Sequence, residues 1–92
     1  MKEFTKYINS IGDRHIIVDI QDFYKKDSEV KLVLAVESPE HSELTKRWEI
    51  VFDNVTDVHI YFEFGFEIRR VMNMLIVGNS YISGRITAVT LL

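Results

Sequence analysis

The stretch Trp48-Glu49-Ile50-Val51-Phe52-Asp53, followed by Asn54-Val55-Thr56 and then Asp57-Val58-His59-Ile60-Tyr61-Phe62-Glu63-Phe64, decides the fold. Trp48, Ile50 and Phe52 alternate with Glu49, Val51 and Asp53, and Val58, Ile60, Phe62 and Phe64 alternate with Asp57, His59, Tyr61 and Glu63. Successive side chains of a strand point to opposite faces, so each set shares one face. Seven large apolar groups then point one way and mostly polar groups the other. This is the pattern of an antiparallel sheet with one covered face and one wet face. Asp53 to Asp57 is polar apart from Val55 and predicts a hairpin loop between the two halves. A slip of one residue would expose the whole apolar set, so the register is tightly specified.

Upstream of this stretch, Phe4, Tyr7, Ile8 and Ile11 fall at i, i+3, i+4 and i+7, with Gly12 in the position of a helix C-terminal glycine. The spacing predicts a short amphipathic helix over 2–11 whose apolar stripe leans on the sheet. Ile16, Val18 and Ile20 alternate over 14–21, and Val30, Leu32, Leu34 and Val36 alternate after the charged turn Tyr24 to Ser28. Two such runs read as a hairpin. Leu32 to Val36 is apolar on both faces, which fits an interior strand. Glu37 to Lys46 holds the only proline, Pro39, and reads as a loop.

Downstream, Ile68, Val71, Met72, Leu75 and Ile76 follow a helical period, and Gly78-Asn79 closes it, so 66–77 reads as a second helix. The competing reading is a strand, because Val71, Ile76 and Val77 are β-branched. Ser83 to Leu92 reads as a final strand covered on both faces. The expected fold is α+β: a mostly antiparallel five-stranded curved sheet with one or two short helices, in the order α-β-β-β-β-α-β.

Ninety-two residues make a single domain, 1–92. A chain of this size buries about 60 to 65% of its unfolded surface and has little room for a deep cavity. There is no cysteine, which excludes disulfides, thiol catalysis and cysteine-based zinc sites. Met1 to Ile11 mixes polar and apolar residues around Glu3, unlike a secretory leader. The longest apolar run, Met74 to Val77, falls far short of the ~20 residues that span a membrane. The expected setting is cytoplasmic, with no membrane partner.

The net charge of −3 disfavours a nucleic-acid footprint. The charge is uneven: residues 1–64 hold 8 Lys and Arg against 13 Asp and Glu, whereas residues 65–92 hold 3 against 1. The acidic part suits a basic partner, although such charge also serves plain solubility.

Four side chains share the wet face of the central run, namely Asp57, His59, Tyr61 and Glu63, each i, i+2 step separating them by roughly 7 Å. An exposed tyrosine beside acidic residues makes an interface anchor, and Tyr24 is a second outward tyrosine. His15 near Asp13 and Asp19, and His59 between Asp57 and Tyr61, have the chemistry of metal or acid–base residues. No His-x-x-x-His or mixed ligand spacing accompanies them, so surface residues are the simpler reading and no metal or cofactor is expected. His41 lies in the Pro39 loop. Trp48, Phe52, Phe62, Phe64 and Phe66 resemble a base-stacking platform only in number, because basic residues are not interleaved with them; they read as core. Arg69, Arg70 and Arg85 are the one basic cluster, read as a solvated helix side or as partners of Glu63 and Glu67. There is no Gly-x-Ser-x-Gly elbow and no Walker loop, so catalytic residues are not assigned.

The run from Trp48 to Ile60, in which a hydrophobic strand passes into the Phe-x-x-Val-x-x-Val spacing of Phe52, Val55 and Val58, resembles small β-rich immunity proteins of bacterial polymorphic-toxin systems. Gly12-Asp13-Arg14-His15, the run Ile16 to Ile20 and the strand Val30 to Val36 fit the same order. Asp13-Arg14-His15 departs from the His-then-Asp order of that pattern. The resemblance covers about residues 13–64. It implies an acidic cytoplasmic binding protein that blocks a basic toxin domain by occupying a surface, and it transfers no catalytic residue.

The reading is therefore a non-enzymatic protein-binding domain of immunity type. Two alternatives stand beside it: an assembly protein that forms a homo-oligomer through a sheet edge such as the final strand, and a small metal-dependent or acid–base enzyme using His15 or His59.

Overall fold

The computed structural model describes residues 2–12 and 14–92. Helix α1 (Lys2–Ile11) is followed by β1 (Ile17–Lys26), β2 (Glu29–Glu37), a 3-10 turn (Ser42–Leu44), β3 (Lys46–His59), β4 (Ile68–Val71), β5 (Met74–Val77) and β6 (Ser80–Leu91). All six strands join one antiparallel sheet in the order β1-β2-β3-β6-β5-β4. Two three-strand meanders are thus joined edge to edge through β3 and β6, a Greek-key connection. A single rung curls the sheet back on itself: Val18 N–H donates to the Gly65 carbonyl (2.8 Å) and Gly65 N–H donates to the Val18 carbonyl (2.9 Å).

The alternation read from the sequence places the core. Ile16 before β1, Val18 and Ile20 of β1, Val30, Leu32, Leu34 and Val36 of β2, and Trp48, Ile50 and Phe52 of β3 are all buried. The stripe of α1 joins them, with the Phe4 ring edge-on to Trp48 (centroids 5.3 Å apart) and Tyr7 tilted on it (5.1 Å). Each fully buried side chain of this size contributes about 1.5–3 kcal/mol of transfer free energy. The Tyr7 hydroxyl donates to the Leu44 carbonyl (2.8 Å) and so ties α1 to the 3-10 turn.

Three strand connections are two-residue loops: Asp27-Ser28, Met72-Asn73 and Gly78-Asn79. In each the first loop residue has positive φ, at 55°, 54° and 60°. Tight hairpins need that conformation because it matches the twist of the flanking strands. Asp and Gly adopt it readily; Met72 does so against its preference.

Several expectations are corrected here. The sheet has six strands rather than five, and 66–77 is no helix: it contains the β4–β5 hairpin, so the order is α-β-β-β-β-β-β. The helical spacing was accidental. Ile68 pairs with Val77 across the hairpin and both face the core, while Leu75 reaches it from β5 and Met72 turns out to solvent. Gly78-Asn79, read as a helix cap, is the next hairpin turn.

Asp53 to Asp57 is not a hairpin loop either. The strand runs through it, with two more residues on β3 than on β6 between the pairs Asp53–Arg85 and Asp57–Ser83. Asn54 takes φ 49° at this bulge, and Val55 N–H donates to the Ser28 carbonyl (3.2 Å). Bulges of this kind bend a strand and increase its twist. Phe62, Phe64 and Phe66 lie outside the core, at 67%, 67% and 70% exposed. The final strand is not covered on both faces: Arg85, Thr87, Ala88, Thr90 and Leu91 are exposed. β6 is flanked by β3 and β5 over Tyr81–Ser83 and is paired with β3 alone from Arg85 on.

Candidate functional site

β3 delivers Asp57 and His59 to the same side of the sheet, and its partner β6 delivers Tyr81, the register neighbour of His59. Cross-strand neighbours have Cβ atoms about 5 Å apart, within easy reach of ring contact. The His59 and Tyr81 rings stack face to face, with centroids 5.5 Å apart and planes 4° from parallel. The Tyr81 hydroxyl reaches diagonally to donate to Asp57 Oδ2 (2.8 Å). On the other side, the Tyr61 ring lies 5.7 Å from His59, and its hydroxyl is 3.3 Å from His59 Nδ1. A hydroxyl donating there leaves the imidazole proton on Nε2.

The backbone that carries Tyr61 is fixed from below by a buried residue. Ser80 Oγ accepts from Tyr61 N–H (2.8 Å) and donates to the Tyr61 carbonyl (3.3 Å). Two residues on, Glu63 Oε1 accepts from Asn79 Nδ2 (3.2 Å). Asp57, His59 and Tyr61 are thus joined through Tyr81 and the ring contacts, whereas Glu63 bonds Asn79 in the turn before β6. Asp57, His59, Tyr61 and Glu63 are all exposed, while Tyr81 is half-buried. The bond to the Asp57 carboxylate pushes the Tyr81 phenol pKa up, because ionising it would place two negative charges together.

Sequence reasoning missed Ser80, Asn79 and Tyr81. Tyr81 falls between a segment read as helix cap and a strand read as beginning at Ser83. Its alternation with Ile82 was the available signal.

At the bulge, Arg85 forks onto Asp53, with Nε to Oδ1 at 2.8 Å and Nη2 to Oδ2 at 2.5 Å. This bidentate bond holds the Asp53 carboxyl below the usual carboxylate range and raises the Arg85 guanidinium. Arg69 pairs with Glu67. The basic trio is thus dispersed: Arg85 lies on β6, Arg69 and Arg70 on β4, and Glu63 bonds Asn79.

His15 is exposed, and Asp13, its expected neighbour, lies outside the described residues. His41 in the Pro39 loop gains charged neighbours: its Nε2 is 2.8 Å from Arg14 Nη1 and its Nδ1 is 3.5 Å from Glu43. Among the described residues, no three His, Asp or Glu side chains gather where they could hold a metal ion. Tyr24 is exposed on β1, opposite Lys31 of β2. No helix among the described residues is long and apolar enough to cross a membrane.

The arrangement suits recognition. Tyrosine and imidazole rings locked by stacking and hydrogen bonds lose little side-chain entropy on binding. Acid groups at both ends supply orientation. No family model, curated protein or solved structure matches the chain.

Proposed function

We propose that this chain is a small protein-binding domain of immunity type, which blocks a basic toxin domain by covering it with the exposed face of β3 and the start of β6. The observation that carries the reading is the contact chain Asp57–Tyr81–His59–Tyr61, ordered before any partner arrives. Tyrosine is enriched among the residues that dominate binding energy at interfaces. The three exposed phenylalanines that continue from Tyr61 support it further, since solvent-facing apolar surface of this kind marks interaction sites. The toxin class of the partner rests on the resemblance over residues 13–64 and on the acidic balance of residues 1–64.

The test is a pull-down from native lysate with tagged protein, followed by calorimetric titration of the captured partner. The Asp57→Ala/Tyr61→Ala double variant is expected to bind at least tenfold more weakly while melting within a few degrees of the parent. Unchanged affinity removes this surface from the interface.

A second reading has its own observation. Arg85–Leu91 of β6 pairs with β3 on one side only, which leaves an edge on which a second copy could pair. In that case sedimentation gives a concentration-dependent dimer, and proline at Ala88 or Thr90 lowers its association.

A further inference from the structure

A groove of about 730 Å³ separates α1 and the residues after it from β4. Its walls include Asn9 of α1, Arg14, Phe66, Arg69, Arg70 and Met72. We propose that this groove binds an acidic, extended peptide segment of another protein, which adds as a strand to the outer edge of β4.

Three features converge on that occupant. The first is backbone. β4 ends the sheet order, with β5 paired along one edge only. The closing rung to β1 involves Gly65 and Val18 and stops short of Ile68. The outer edge of β4 therefore presents main-chain donors and acceptors toward the groove, the surface that strand addition uses.

The second is charge. Arg14, Arg69 and Arg70 face the groove with Glu67 as the one acidic residue among the described lining residues, in a chain whose net charge is −3. Arg14 is steadied there by donating from Nε to the Ser10 carbonyl (3.0 Å). Arg69 is paired with Glu67; Arg14 and Arg70, on an otherwise acidic molecule, complement carboxylates, with which arginine pairs in two-pronged fashion.

The third is apolar anchorage at both ends of the edge. Phe66 precedes β4 and Met72 follows it, at 70% and 91% exposed. Five residues separate them, four of them the strand β4, so an extended rise puts the two at most about 20 Å apart and limits the bound segment to about six or seven residues. Arg69 and Arg70 are consecutive in β4 and take opposite faces, so carboxylates along one face of the added strand would meet Arg70, with apolar contacts to Phe66 and Met72 beyond the two ends of β4. Methionine adapts its shape to such guests.

Phe66 is shared with the apolar continuation of the Asp57–Tyr61 face, whereas Arg14, Arg70 and the β4 backbone belong to the groove alone, so loss of binding in Arg70→Glu tests this proposal separately from the other. The test uses a fluorescein-labelled ten-residue peptide alternating Glu with Val, titrated by anisotropy against the full chain at low and moderate salt. Saturable binding is expected, at least tenfold weaker for the peptide with Lys in place of Glu and for a peptide N-methylated at alternate amides. Amide shifts in 15N spectra should localise to Ile68–Met72 and to Thr5 and Asn9. Arg70→Glu should weaken binding at least tenfold, and Glu67→Gln should not weaken it. No saturation, equal binding of the Lys peptide, or shifts confined to other residues would overturn the proposal. So would a dimer in sedimentation that Arg70→Glu dissolves, because the groove would then hold a second copy.

Discussion

The two halves of the central run carry the same alternation and meet opposite fates. Trp48, Ile50 and Phe52 are sealed from solvent, while Phe62 and Phe64, set in the same pattern, stand mostly exposed. The first half is flanked by β2 on one side and β6 on the other, and α1 closes over Trp48. The second half leaves the ladder at His59. Beyond that point a backbone bond from Gly65 to Val18 holds the chain, with no layer over the aromatic rings. Alternation determines which residues share a face; burial needs a second layer to cover that face.

Three measurements break or sharpen this contrast. The largest effect is expected from truncating the two phenylalanines in parallel. Phe52→Ala empties a fully buried site and should cost about 3–5 kcal/mol in urea unfolding, from lost transfer energy and the cavity left behind. Phe64→Ala should stay within about 0.5 kcal/mol, as exposed positions do. Equal losses would mean that Phe64 is covered in solution.

The next concerns what holds the second half in place. A Cβ at Gly65 would sit 2.7 Å from Gly78 Cα, and one at Gly78 would sit 2.8 Å from Gly65 Cα. The two backbones touch, and Gly78 N–H donates to the Glu67 carbonyl (2.7 Å) beside them. Gly65→Ala should therefore destabilise by about 1–3 kcal/mol through overpacking. Hydrogen exchange should accelerate at Val18 and Gly65 before it does so in β2. A variant with parental exchange at both amides would show that the closing rung does not need the glycine pair.

The smallest effect tests the cover over the first half. Burial pushes the Tyr7 phenol up to about 12, opposed in part by the Trp48 indole, whose N–H makes no hydrogen bond of normal geometry. A raised folded value means that ionisation opposes folding. The Tyr7 contribution is thus complete below its ordinary value of ~10 and lost as pH rises from there through about 12. Tyr7→Phe should lower stability by about 1 kcal/mol at neutral pH, through the lost bond to Leu44. It should also flatten the fall above pH 10 in chemical denaturation. A variant with the same alkaline fall would place that titration elsewhere, with Tyr81 the next phenol to test.

Legibility of the fold follows the range of the forces involved. The helix over 2–11 was readable because its stripe repeats at helical spacing and ends at a glycine. β2 and the Trp48–Phe52 half of β3 were readable because their alternation is regular, whereas β1 runs on to Lys26 past a register shift between Ile20 and Asp22, beyond the 14–21 that its pattern marked. The β4–β5 hairpin was not, because its turn is Met72-Asn73, and methionine carries no turn signal; only the pull of the flanking pairings holds Met72 at positive φ. With that turn hidden, β-branched residues spaced by chance at three and four looked helical. The candidate site divides in the same way. Asp57 and His59 share a face by the local geometry of β3, which ends at His59, whereas Tyr81 and Asn79 reach His59 and Glu63 through a pairing between segments some twenty residues apart.

By itself, then, the sequence determined the α+β class, the register-bearing apolar face of β1 to β3, the helix that packs on it, and the shared face of Asp57 and His59. Each follows from periodicity within a few residues, where sterics and burial act locally. Only the tertiary structure decided that β3 runs through its polar middle as a bulge, that β6 closes on β3 and supplies the tyrosine that stacks on His59, and that β4 ends the sheet beside an arginine-lined groove. Those outcomes depend on which strands find each other across the chain, and no local pattern encodes a partner.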